Sequence, residues 1–242
     1  MKLISFSLWG DDPKYLVGAV RNAERAATIY PCWRCRFYCG SAVDGATLAR
    51  LRSLPHVEVV SMQSPGDWNG TLWRFAAASD PAVSVMLSRD ADSRLSQRER
   101  DAVDAWLASD KDFHVMRDHP WHDVPILAGL WGVRNGLLRE MQELIAAYPS
   151  QGGRRVDQSF LAAVVLPLVR ERWLEHDSYV PGKPFPTRRR FREFVGQPFD
   201  ADDRPLINGP TSLEAFLRRS ARRVLNLAKR GRAGRGGASA RS

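Results

Sequence analysis

Val83-Ser-Val-Met-Leu-Ser-Arg-Asp-Ala-Asp-Ser-Arg-Leu95 is a run of strand-forming residues that breaks off at an aspartate, a small spacer and a second aspartate. In extended backbone, residues two apart point the same way, and a rise of about 3.3 Å per residue puts their Cβ atoms about 6 to 7 Å apart. Asp90 and Asp92 can therefore lean toward one cation. Two ionised carboxylates at that spacing repel each other, and a hard divalent ion with oxygen ligands relieves the repulsion. Magnesium and manganese take only one or two protein carboxylates and complete their shells with water and phosphate oxygens, so the pair points to a substrate carrying a diphosphate. The same residues also suit a plain turn after a strand, where aspartate side chains bond nearby backbone. The carboxyl end of a buried strand is where open α/β sheets bind ligands, which favours the cation.

Upstream of this stretch, strand and helix patterns alternate. Residues 2–9 (KLISFSLW) predict a strand, 14–30 a helix, 36–40 (RFYCG) a strand, 46–54 a helix and 57–62 (VEVVSM) a strand. Leu72, Phe75 and Ala76 give 68–79 helical spacing ahead of the strand that ends at the aspartates. Repeated βαβ order predicts a mostly parallel sheet with helices on both faces, joined by right-handed crossovers. Downstream, Ser96 and Glu99 form a capping box for a helix carrying Val103, Trp106 and Leu107. Residues 112–118 and 126–134 predict two more strands, 137–148 a helix, and 157–172 a helix that Pro167 kinks or shortens, with irregular structure after it. Six prolines between Pro181 and Pro210 predict a surface loop placed to close over the site.

A chain of 242 residues can bury a substantial core, and the patterning divides it into one domain over 1–210 and an appendage over 211–242. No apolar run approaches the roughly 20 residues that cross a bilayer. Gly10, Asp11 and Asp12 cut off the short apolar opening before a secretory signal forms, so a cytoplasmic location is expected. Cys32, Cys35 and Cys39 leave an odd count that does not suit a disulfide framework and are expected to be free thiols. The net charge of +9 is concentrated in 187–192 (TRRRFR) and from Arg218 to Arg241. Leu213, Phe216, Leu217, Val224, Leu225 and Ala228 fall on one helical face with arginines opposite. Such a helix suits peripheral contact with an anionic membrane, each basic residue contributing about 1 kcal/mol, or packing on the body with a solvated rim. Nucleic acid is the weaker expectation, because aromatic residues do not interleave with the basic ones there.

The order of elements and Asp90-Ala91-Asp92 resemble the GT-A fold of nucleotide-sugar glycosyltransferases over roughly residues 1–185. Two later fragments, Asp157–Leu161 (DQSFL) and His176 followed by Gly182–Phe185 (GKPF), are similar to fragments of glycogenin-like transferases in the same order. The chain departs from that pattern where Asp177 directly follows the histidine and where no tryptophan follows Pro184. The resemblance implies a GT-A-like, Rossmann-type α/β fold with a mixed, mostly parallel sheet flanked by helices. It implies transfer of a sugar from a nucleoside-diphosphate sugar donor to a hydroxyl of a glycan or lipid-linked acceptor, as in surface polysaccharide or glycolipid synthesis. Asp90 and Asp92 would hold Mn2+ or Mg2+ on the donor diphosphate with His176 as third ligand; alternatively His176 is a loop histidine bonded to a neighbour.

Within that reading Asp157 is the candidate carboxylate for the acceptor hydroxyl, although aspartate is equally suited to cap the helix it starts. Gln158 is the candidate partner of the donor sugar. Ser7, Trp9 and Gly10, with Tyr15, are candidates for base and ribose. Arg74 is preferred for phosphate, because Arg89 points away from Asp90 and should pair with a carboxylate. Arg117, Asp118 and His119, with Gly129 and Trp131, are expected to line a sugar or acceptor pocket, solvated loop histidines being the plainer alternative. Two rivals stand beside this reading: a metal-dependent phosphoester hydrolase or nucleotidyltransferase using Asp90, Asp92 and the histidine-rich loop, and a basic nucleic-acid-binding protein.

Overall fold

The computed structural model describes residues 1–150 and 152–209, so the expected basic helix and tail over 211–242 lie outside the described residues. Strand β1 (Lys2–Leu8) is buried at every position but the first, as a parallel strand covered on both faces must be. Helix α1 (Pro13–Ile29) follows, opened by Asp12, whose carboxylate accepts from Lys14 N, and by Pro13 in the first turn, where a missing N–H costs nothing. Then come β2 (Arg34–Cys39), α2 (Gly45–Arg52) and β3 (Val57–Ser61). Together these match the expected βαβ units to within a few residues.

The chain returns across the sheet through Trp68–Ser79, which is a 3-10 helix and not the α-helix expected from its spacing. Three residues per turn align Leu72, Phe75 and Ala78 in one buried row and Arg74 and Ala77 in another. Strand β1 fixes this segment: Ser5 Oγ donates to Arg74 O at 2.7 Å, and Arg74 N donates to Ser7 Oγ at 3.0 Å. Strand β4 (Val85–Ser88) ends at the aspartates, and α3 (Gln97–Leu107) begins at Ser96, whose hydroxyl accepts from Glu99 N. Only that half of the expected capping box forms, because the Glu99 carboxylate turns inward to Arg89 and Tyr30.

Strands β5 (Phe113–Arg117) and β6 (Trp131–Arg134), helix α4 (Met141–Ala147) and α5 (Val156–Phe160) follow. Helix α5 runs through a π turn at Leu161–Val165 into α6 (Leu166–Val169). Pro167 therefore neither stops nor sharply shortens the helix; the wide turn comes just before the residue that lacks a donor. Strand β7 (Trp173–Asp177) was not legible in a segment with two apolar residues among charges.

The seven strands lie in the order β3-β2-β1-β4-β6-β5-β7. All pairings are parallel except the two made by β6, so the sheet is mixed and mostly parallel. Its two faces carry separate apolar clusters. Phe75, Phe113, Trp131 and Phe160 centre one, and Phe6, Phe37, Trp106 and the alanine stripe of α1 centre the other. Among the described residues no helix is long and apolar enough to cross a membrane. The chain reverses its direction of winding between β1 and β4, the topological position at which open α/β sheets form a ligand crevice outside the carboxyl ends of their strands.

Candidate active site

Asp90, Ala91 and Asp92 form a turn at that crevice, closed by Ser93, whose hydroxyl donates to Asp90 O at 2.9 Å. A polar clamp from α1 supports the turn from below. The buried Asn22 amide donates to Ala91 O (3.1 Å) and Ser93 O (2.7 Å) and accepts from Leu95 N (3.0 Å). One helical turn earlier, a Cβ on Gly18 would stand 2.1 Å from Ala91 O, so the turn can approach the helix only over a glycine. The small spacer at position 91 therefore does more than keep the aspartates apart: Ala91 packs into the α1 cluster.

The Asp90 side chain, 45% exposed, meets Arg74 at 3.0 Å, and the same Arg74 nitrogen reaches Asp157 Oδ2 at 3.0 Å. Arg74 thus links the end of β4 to the first turn of α5. Asp92 faces α1, with Lys14 Nζ 3.6 Å from its carboxylate. Burial, reinforced by the charge of Asp90 and opposed by Lys14, pushes the Asp92 carboxyl up to about 6. Burial also raises Asp157, with Arg74 pulling the other way. Three carboxylates share two cations, so the cluster retains negative charge, and its donors are all carboxylate oxygens. That set fits a hard divalent cation on Asp90 and Asp92, which would supply the missing positive charge.

Gly129 makes the arrangement possible. A Cβ at that position would lie 2.1 Å from Asp90 Oδ2 and 2.4 Å from Cγ, close enough to force the carboxylate out of its place. Gly129→Ala is expected to displace the Asp90 carboxylate, weakening titration of the purified chain with Mn2+ by about tenfold or more while leaving the thermal midpoint nearly unchanged, read by calorimetry and a melting curve. The Gln158 amide braces the loop before this glycine. Oriented to satisfy both neighbours, its nitrogen donates to Ile126 O (2.9 Å) and its oxygen accepts from Ala128 N (2.8 Å). Both ends of Gln158 are therefore engaged by backbone and not turned toward a sugar.

Asp92 also makes stability depend on pH. Its folded pKa is raised above the ordinary 3.8, so the ionised form opposes folding; the penalty is absent below 3.8 and complete above about 6. Without divalent cation, Asp92→Asn is expected to gain about 1 to 3 kcal/mol of stability above pH 6 and nothing in acid, as urea denaturation at the two pH values would register.

Several expected site residues stand elsewhere. His176 does not join the aspartates: its Nδ1 lies 2.7 Å from Nε2 of the buried His114, which stacks on Trp106. Among the described residues no three His, Cys, Asp or Glu side chains gather as a metal site. Trp131 is not a sugar platform, being 0% exposed in the core with Phe113 stacked on it. Asp118 is equally buried, accepting from Arg98 at 2.8 Å and from Val195 N at 3.0 Å. Arg117 is committed to Asp177 (2.8 Å) and Glu175 (3.2 Å), and His119 sits in a buried aromatic cluster with Phe194. Arg117 and His176 thus tie β5 to the edge strand β7, and Asp118 and His119 anchor the segment around Phe194 and Val195.

On the other side of the crevice, Trp9 lies edge-on to Trp68 at 5.5 Å, with Gly40, Gly66 and Gly70 leaving room for its ring. Gly10 has a φ of +76°, which lets the chain turn sharply after β1. Tyr15 lies under Lys14 Nζ at 4.2 Å, while the Ser7 hydroxyl is occupied by the 3-10 segment. Sequence reasoning missed Lys14, Gly18 and Asn22. The last two leave a signal in retrospect, a glycine and an asparagine four residues apart beside the alanine stripe of α1.

No protein-family model matches the sequence, and no curated protein matches it. Solved structures are similar in fold. S. aureus TarS 1–349 gives a TM-score of 0.50 at 13% identity, covering 76% of this chain and 59% of that one. The mannosyltransferase PcManGT from Pyrobaculum calidifontis, in complex with GDP-Man and Mn2+, gives 0.49 at 13% identity over 75% and 58%. A cytidylyltransferase from Leptospira borgpetersenii gives 0.48 at 12% identity over 81% and 80%. The chain spans about three-fifths of the first two. What is shared with TarS is the fold, a mixed α/β sheet of the GT-A type.

Proposed function

We propose that this chain is a metal-dependent glycosyltransferase that moves a sugar from a nucleoside diphosphate to a hydroxyl acceptor. The observation that carries the reading is the Asp90-Ala91-Asp92 turn, built by Asn22, Gly18 and Gly129 at the β1/β4 crevice and left with uncompensated negative charge. A divalent cation on these aspartates would stabilise charge developing on the departing diphosphate. The remaining work falls to the chain's own side chains. Arg74 holds Asp90 and Asp157 in one frame, so a carboxylate stands beside the diphosphate position. Burial raises the affinity of Asp157 for a proton, which suits it to take one from an acceptor hydroxyl. Trp9 and Trp68, across the crevice, offer ring faces and edges to a nucleobase.

Calorimetric titration with nucleoside diphosphates, with and without manganese, tests the reading. Affinity should rise with manganese and vanish in Asp92→Asn. Nucleoside diphosphate binding that ignores manganese, or none at all, would reject it. Release of inorganic phosphate or pyrophosphate in place of sugar transfer would favour the phosphoester or nucleotidyl chemistry instead.

A further inference from the structure

We infer that the loop Thr187–Val195, together with Trp121, is a docking face for an anionic lipid bilayer. The loop is pinned at both ends, Thr187 O accepting from Arg98 and Val195 N donating to Asp118 Oδ2 at 3.0 Å. Between the pins it holds Phe191 80% exposed, with a φ of +21°, a backbone setting that side chains rarely adopt. An apolar ring held outward at strained backbone contributes nothing to the core, and such outliers concentrate at ligand contacts. Trp121 is 63% exposed and stands near the end of the loop: its ring lies 5.2 Å from the buried His119, which lies 4.5 Å from Phe194.

Charge selects the partner. Arg188, Arg190 and Arg192 flank Phe191 at the surface, and Glu193 is the single acidic residue between 187 and 195. Aromatic rings set among arginines suit the headgroup layer of a membrane, where the rings enter the acyl boundary and the guanidinium groups meet phosphate. The chain also continues from this face. Gly209, the last described residue, donates to Arg192 O at 2.7 Å, and the sequence beyond it carries nine basic residues and one acidic, Glu214, within 211–242. The basic sequence therefore starts at the basic and aromatic patch. The same segment runs on to the crevice, where Phe199 N donates to Asp92 O at 2.8 Å, so docking here would bring the site close to a lipid-borne hydroxyl.

Flotation of the full chain with vesicles of phosphatidylcholine alone, or mixed with phosphatidylglycerol, tests the assignment, with single-stranded RNA as a parallel ligand. Binding should require the anionic lipid. The triple variant R188Q/R190Q/R192Q should lose on the order of a hundredfold in partitioning, and Phe191→Ser about tenfold. Lipids brominated in their tails should quench tryptophan fluorescence in the unsubstituted chain and much less in Trp121→Phe, a readout that does not depend on affinity. Partitioning unchanged in both loop variants would assign any membrane contact to the basic sequence after 209 and overturn the proposal; RNA binding without vesicle binding would overturn it as well. No donor is present in these measurements, so their failure leaves the transferase reading standing.

Discussion

Asp90→Asn is expected to reduce the proposed sugar transfer on the order of a thousandfold at saturating donor, which corresponds to several kcal/mol of lost charge stabilisation. The size of the loss distinguishes this aspartate from a turn-forming one. A neutral amide retains the shape and the turn, since Ser93 bonds Asp90 through its main-chain oxygen and not through its carboxylate. Arg74 keeps Asp157 as its partner, so no buried cation is left alone. What disappears is one negative charge facing the crevice. Product formation should be followed across a manganese titration, and the thermal midpoint should move little. Activity within about tenfold of the unsubstituted chain would remove Asp90 from the proposed metal site.

Arg89→Met should cost about 3 to 5 kcal/mol of folding stability, the typical penalty for breaking a buried ion pair from one side. Arg89 is wholly buried, and its guanidinium donates to Glu99 Oε1 at 2.7 Å, to Ser88 O at 2.7 Å and to Trp131 O at 3.0 Å. Tyr30 donates to the same Glu99 oxygen at 2.8 Å. Removing the arginine leaves a buried carboxylate with only a phenol for company. Adding Glu99→Gln to Arg89→Met should recover part of the loss, because a neutral amide costs less to bury than an unpaired charge. Urea denaturation of the single and double variants would read both effects, and equal instability of the two would mean that packing, not charge, accounts for it.

Periodicity carried the fold through β4. Alternating parallel strands and helices are local patterns, and β1, α1, β2, α2 and β3 all fall close to where the residues put them. The reading failed where tertiary context decides. Trp68–Ser79 has apolar residues that satisfy either a 3.6 or a 3.0 repeat, and the hydroxyls of Ser5 and Ser7, more than sixty residues away, select the tighter one. Strand β7 is made by its register against β5, where Asp177 pairs with Arg117, and not by apolar alternation.

The site shows the same division. The Asp-Ala-Asp turn was visible because its residues are contiguous, and Arg89 was correctly assigned to a carboxylate because strand alternation turns it away from Asp90. The error lay in the loop chemistry. Arg117, Asp118 and His119 have the residue types of a polar pocket, but burial pairs them with one another's neighbours, and no local pattern records that. His176 failed for the same reason: its partner His114 is sixty-two residues away and invisible in its own stretch.

The register between β1 and β4 also couples the two halves of the site. Arg89 N donates to Ser5 O at 3.0 Å, and the side chain of that same Ser5 holds the carbonyl of Arg74. One serine therefore ties the strand ending in the aspartates to the helix carrying their guanidinium partner, and sliding either strand by a residue would separate them. Deuterium uptake at the Arg89 amide then becomes a gauge of whether the two halves of the crevice are assembled, readable in the resting protein with no substrate present.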